Sequence, residues 1–194
     1  MSSQRGAALL DVVAASSLCT VLMAIAIPVV GGTLDRERTL TGARYVAGEL
    51  QRARLDSLRR AQSVAVRFEL LGSSARMQRF ADGNGNGLLQ RDIDRGIDLP
   101  LSAAARIDDH ARDVTLLINQ VITDVSGAGV LRPGDDPLRI GNTSFVTFTP
   151  LGTATGGTLY VSASRGPQLA VRIFGATGRI RVLQFDAQAR QWHP

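Results

Sequence analysis

Two hydrophobic periods divide the chain. Up to about Gln62 the apolar positions are continuous or three to four apart; beyond it they alternate in short runs broken by Gly, Pro, Asn and Asp. No charged side chain lies between Val12 and Val30, and at about 1.5 Å per residue such a run reaches across roughly 30 Å of hydrocarbon, so it predicts one transmembrane helix. Beyond Pro28, small and apolar residues recur at Leu40, Ala43, Ala47, Leu50, Leu58 and Ala61, with Arg44, Arg52, Arg59 and Arg60 between them. That spacing predicts an amphipathic continuation to about Gln62. Pro28 bends such a helix rather than ending it, because membrane helices tolerate proline, and Gly31-Gly32 softens the same region.

After Gln62 the pattern is that of strands. Val64 to Leu70 and Arg76 to Phe80 flank Gly72-Ser73-Ser74, which reads as strand, turn, strand. Further strands are expected at Val114 to Ile118, Phe145 to Thr149, Leu159 to Ala163, Leu169 to Phe174 and Arg179 to Phe185. Leu99 to Asp109 reads as irregular or weakly helical, and Ser126 to Asn142 as a long loop. The expected fold class is α+β: a long N-terminal transmembrane helix packed on an antiparallel β-sheet head.

The start of the chain changes this picture most. A polar leader, Met1 to Gly6, ending Arg5-Gly6, precedes the apolar run, and one acid, Asp11, interrupts it. A secretory signal has its small-residue cleavage site after the apolar core; here the small residue lies before it, so a cut after Gly6 leaves the helix on the mature chain. Loss of Arg5 with the leader takes the formal charge from +5 to +4. An acid at the centre of a spanning helix costs on the order of 3 kcal/mol, so Asp11 calls for a cationic partner outside its own helix. Arg36, Arg38 and Arg44 follow the helix closely, so local charge does not settle its orientation.

Gly6-Ala7-Ala8-Leu9-Leu10-Asp11-Val12, followed by the apolar stretch ending Ile25-Ala26-Ile27-Pro28, resembles the class III leader of type IV pilins and type II secretion pseudopilins. The resemblance implies prepilin-peptidase cleavage after Gly6 and N-methylation of Ala7. It also implies an assembly contact from Asp11 to a neighbouring subunit's N-terminal amine, and a helix bend at Pro28. Ala7 stands where the family usually has an aromatic, and Asp11 where it has glutamate. The head carries a second likeness. Phe148-Thr149-Pro150-Leu151-Gly152-Thr153-Ala154, Gly156-Gly157-Thr158-Leu159 and Thr177-Gly178-Arg179-Ile180-Arg181-Val182 resemble the GspH/FimT branch of minor pseudopilins, as does the turn after Phe80.

That branch implies a leader over 1–6, a transmembrane and assembly segment over 7–33, an amphipathic continuation over 34–62 and a β-rich head over 63–194. It implies a single-pass inner-membrane location with a periplasmic C-terminal domain. Its expected partners are other pseudopilins or minor pilins, the prepilin peptidase and an inner-membrane assembly platform. The expected role is a minor pseudopilin of a type II protein secretion system. The alternative is a FimT-like type IV pilus minor pilin that binds DNA through Arg179 and Arg181 during natural transformation.

Candidate chemistry elsewhere is sparse. Asp82, Asn84 and Asn86 begin a D-x-N-x-N-G run like a calcium loop, but its twelfth position is Ile93 rather than glutamate. The expectation is therefore an Asn/Gly turn and no cofactor, with calcium as the alternative. Arg179 and Arg181 share one face of a strand and could meet successive phosphates, or simply face solvent or pair with acids. No aromatic residue is interleaved between them, so a nucleic-acid reading rests on charge. His110 and His193 fall in no metal spacing or triad, which argues against an enzyme. Cys19, the only cysteine, excludes an internal disulfide. Trp192, the only tryptophan, is expected to cover one edge of the head.

Overall fold

A computed structural model describes residues 3–72, 74–141 and 143–194; the side chains of 3–10 and 22–30 lie outside that description. Helix α1 runs Ser3–Arg60. It ends where Ala61 takes a left-handed conformation (φ 50°), with the Gln62 amide donating to the Ser57 carbonyl and the Ala61 amide to that of Leu58. These two bonds form a Schellman cap, with alanine in the position that glycine usually fills.

One stripe of α1 is buried: Thr39, Gly42, Ala43, Val46, Leu50, Ala53 and Ser57, at steps of one, three and four. This is not quite the stripe the sequence suggests. Leu58 lies on the exposed side, as does Leu55, and Leu40 and Ala47 flank the seam. Small residues dominate the seam because the head packs closely against it. A Cβ on Gly42 would stand 2.5 Å from Cγ1 of Val114.

The head is built of antiparallel sheets. The first contains β1 (Val64–Leu71), β2 (Ser74–Ala81), β3 (Leu99–Pro100), β4 (Ala105–Arg106) and, beyond β1, β9 (Phe145–Phe148). The second contains β5 (Val114–Leu116), β8 (Leu138–Arg139), β10 (Gly157–Ala163), β11 (Leu169–Phe174), β12 (Arg179–Asp186) and β13 (Gln191–His193), with the path β13-β12-β11-β10-β5. A separate ribbon pairs β6 (Ile122–Thr123) with β7 (Val130–Leu131), and a short helix α2 spans Gln90–Asp94. The segments expected to be irregular or looped, 99–109 and 126–142, thus hold short two-residue strands.

Strand alternation separates two cores. Leu159, Val161, Leu169, Val171 and Ile173 face α1 and the first sheet, joining Val66, Phe68, Val146 and Phe148. Tyr160, Ala170 and Phe185 face the other way and are covered by Ile118, Ile122, Leu131 and Trp192. Because β10 is covered on both faces, all seven of its residues are buried.

The expected transmembrane part is corrected. Among the described residues, no helix is long and apolar enough to cross a membrane. The part of the apolar run whose side chains are described, 11–21, is shorter than the roughly 18 residues a span needs. The described stretch 11–21 carries Asp11, Ser16, Ser17 and Thr20, and Asp35, Arg36, Glu37 and Arg38 follow soon after. Their hydroxyls turn back on the helix: Ser17 Oγ donates to the Val13 carbonyl at 2.6 Å and Thr20 Oγ1 to that of Ser16 at 2.8 Å. The single-pass inner-membrane location with a periplasmic C-terminal domain loses its support with that span. What the chain forms is an α+β fold with antiparallel sheets.

Candidate functional site

The first candidate lies on α1. From Asp11 to Val21 every residue is exposed, including Val12, Val13, Leu18 and Val21. Asp11 therefore sits on an apolar surface with nothing from the head folded over it. Cys19 is exposed on the same segment. The positions expected to be processed or bent, Gly6, Ala7 and Pro28, have side chains outside the described residues.

The second candidate is a hollow of about 490 Å³ lined by Arg54, Phe174, Thr177, Arg179 and Arg181. Strand pairing builds most of it. In the β11–β12 register Phe174 lies opposite Arg179 and Arg172 opposite Arg181, and directly opposed residues share a face. The turn between them needs Gly178, whose φ is 58° and where a Cβ would meet the Gly152 carbonyl oxygen at 2.8 Å.

Arg54 reaches this turn from α1. Its Nη2 donates to the Thr177 carbonyl at 3.2 Å, while its Nε is buried without a hydrogen-bond partner. Arg172 donates to Thr158 Oγ1 at 2.8 Å. Among the described residues none of these four arginines forms an ion pair. The structure sets Arg179 and Arg181 on one hollow, with Arg54, Arg172 and an aromatic ring beside them. Phe174 and Arg172 were legible from the hairpin register once its turn is placed. Arg54 was not, since it arrives by a tertiary contact 123 residues away in sequence.

The Asp82 loop is a closed network. Asp82 is 2% exposed and accepts amide hydrogens from Gly85 at 2.7 Å and Gly87 at 2.8 Å. Asn86 and Asn84 turn their side-chain amides to Asp92, at 3.0 and 3.5 Å, and hold its carboxyl below the usual range. Asp98, also buried, accepts from the Gly83 amide at 3.0 Å. The Asp82, Asn84 and Asp98 oxygens thus accept backbone N–H groups of the loop, and the Asp92 carboxylate accepts its two asparagine side chains. Among the described residues no His, Cys, Asp and Glu cluster is placed to hold a metal.

The two histidines serve packing and strand pairing. His110 stacks on Tyr45 of α1 with ring centroids 3.8 Å apart, and His193 pairs with Gln184 in the β12–β13 ladder. Trp192 packs against Phe185 and Tyr160 while its Nε1 donates to the Thr123 carbonyl at 2.7 Å. Comparison of the chain with family models, with curated proteins and with solved structures yields no match.

Proposed function

We propose that this chain is a minor pseudopilin of a type II protein secretion system, processed after Gly6 and assembled with related subunits through the first part of α1. The observation that supports the reading is the division of α1. Residues from Thr39 to Ser57 bury one stripe against the head, whereas Asp11 to Val21 present Val12, Val13, Leu18 and Val21, three hydroxyls bonded back to the helix and one acid, all left uncovered by the head. An exposed apolar helix face acquires its cover from other helices, and a carboxylate on that face acquires a cation when the cover forms. In this reading the free amine of Ala7 on a neighbouring subunit supplies that cation.

Cys19 gives a direct test, because it is the only cysteine and lies on the segment concerned. A maleimide–diazirine reagent added to cells expressing the full chain is expected, after illumination, to join Cys19 to a neighbouring subunit, the thiol adding to the maleimide and the carbene inserting into the neighbour. Asp11→Ala is expected to reduce that adduct at least about tenfold while leaving the amount of protein unchanged. Intact-mass measurement is expected to give a chain that starts at Ala7. Adducts at parental levels in the Asp11→Ala chain would remove the assembly role, and an intact Met1 would remove the processing.

A further inference from the structure

Half of β12 is an open sheet edge. β11 pairs with it from Arg179 to Gln184, but on its other side β13 reaches only Gln184, Phe185 and Asp186. Residues 179–183 therefore have no partner strand on that side among the described residues. Alternate residues of an antiparallel strand turn their N–H and C=O groups outward, so this stretch is a template for one more strand.

The side chains select what can add there. Ile180 and Val182 pack on the core beneath α1, which leaves Arg179 and Arg181 on the opposite face beside Phe174. A second copy of β12 laid antiparallel on this edge would set arginine against arginine, which is unfavourable. A strand with carboxylates at alternate positions would place them about 7 Å apart, matching the spacing of Arg179 and Arg181. A nucleic-acid backbone could neutralise the guanidinium groups, but it has no donors and acceptors spaced to complete the ladder.

We propose that the Arg179–Leu183 edge of β12 binds an extended acidic segment of a partner protein by strand addition, with its carboxylates on Arg179 and Arg181 and an apolar residue against Phe174. This is independent of the assembly contact at Asp11, and the Cys19 adduct reports on that contact alone.

The test uses the full chain and three labelled probes: a short peptide alternating threonine and glutamate, its threonine–lysine counterpart, and single-stranded oligothymidylate. Fluorescence anisotropy is expected to show binding of the glutamate peptide only. Hydrogen exchange is expected to show new protection within residues 179–183 when it binds. Arg179→Glu with Arg181→Glu should weaken the glutamate peptide by about tenfold or more and admit the lysine peptide. The milder Arg179→Gln, Arg181→Gln pair gives the same loss without the gain, and serves if the reversed pair does not fold. Binding of oligothymidylate in place of the peptide, or peptide binding with unchanged exchange in β12, would overturn the proposal.

Discussion

At the scale of single residues, the same side chain can serve a ligand or the backbone, and burial decides which. Asp82 begins a metal-like run, and its buried carboxylate accepts the Gly85 and Gly87 amides of the exposed loop. Asp82→Ala would take the acceptor from the Asn84, Gly85 and Gly87 amides, which water can reach in part, so the loss is about 1 kcal/mol. Urea unfolding is expected to show that loss in calcium-free buffer, and a chelator is expected to leave the Tm of the parent chain unchanged. A Tm that falls on chelation would give the loop back to calcium. The Asn/Gly turn was legible in the sequence because residue type and spacing carry it. The roles of Asn84 and Asn86 were not, since Asp92 meets them only after α2 folds back.

At the scale of elements, α1 shows how a sequence stripe and a packed stripe differ. Apolar spacing located the amphipathic half, but Leu58 sits on the exposed side and Gly42, Thr39 and Ser57 sit in the seam. Hydropathy ranks Leu58 above Gly42; closeness of approach reverses them. Gly42→Ala sets two effects against each other. Helix propensity gains up to about 1 kcal/mol, while the new Cβ must displace Val114, which is fully buried and β-branched. Overpacking of this kind costs about 1–3 kcal/mol, so the net expectation is a loss. A Gly42→Ala, Val114→Ala chain should lose less than the sum of its single variants, by about 1 kcal/mol, as measured in a denaturant double-mutant cycle. Additive losses would mean that the helix shifts rather than crowds.

At the scale of the whole molecule, the two cores share strands and so share their stability. β10 and β11 carry Leu159, Val161, Leu169, Val171 and Ile173 on one face and Tyr160 and Ala170 on the other. The ribbon of β6 and β7 covers the second face, and Trp192 fastens the chain end to it through the Thr123 carbonyl. Short two-residue strands alone would open far below the global unfolding transition. Their cover over Tyr160 and Phe185 ties them to the central strands, since exposing those rings removes one wall of the sheet. Trp192 is the sole tryptophan, so its fluorescence reports this second core, whereas far-UV circular dichroism is dominated by α1 and the long strands. The two signals are expected to coincide in one urea transition, and Trp192→Leu is expected to lower its midpoint while keeping it single. A fluorescence transition that precedes the dichroism change would show that the β6–β7 cover opens as its own unit, and that α1 and the first sheet hold the remainder without it.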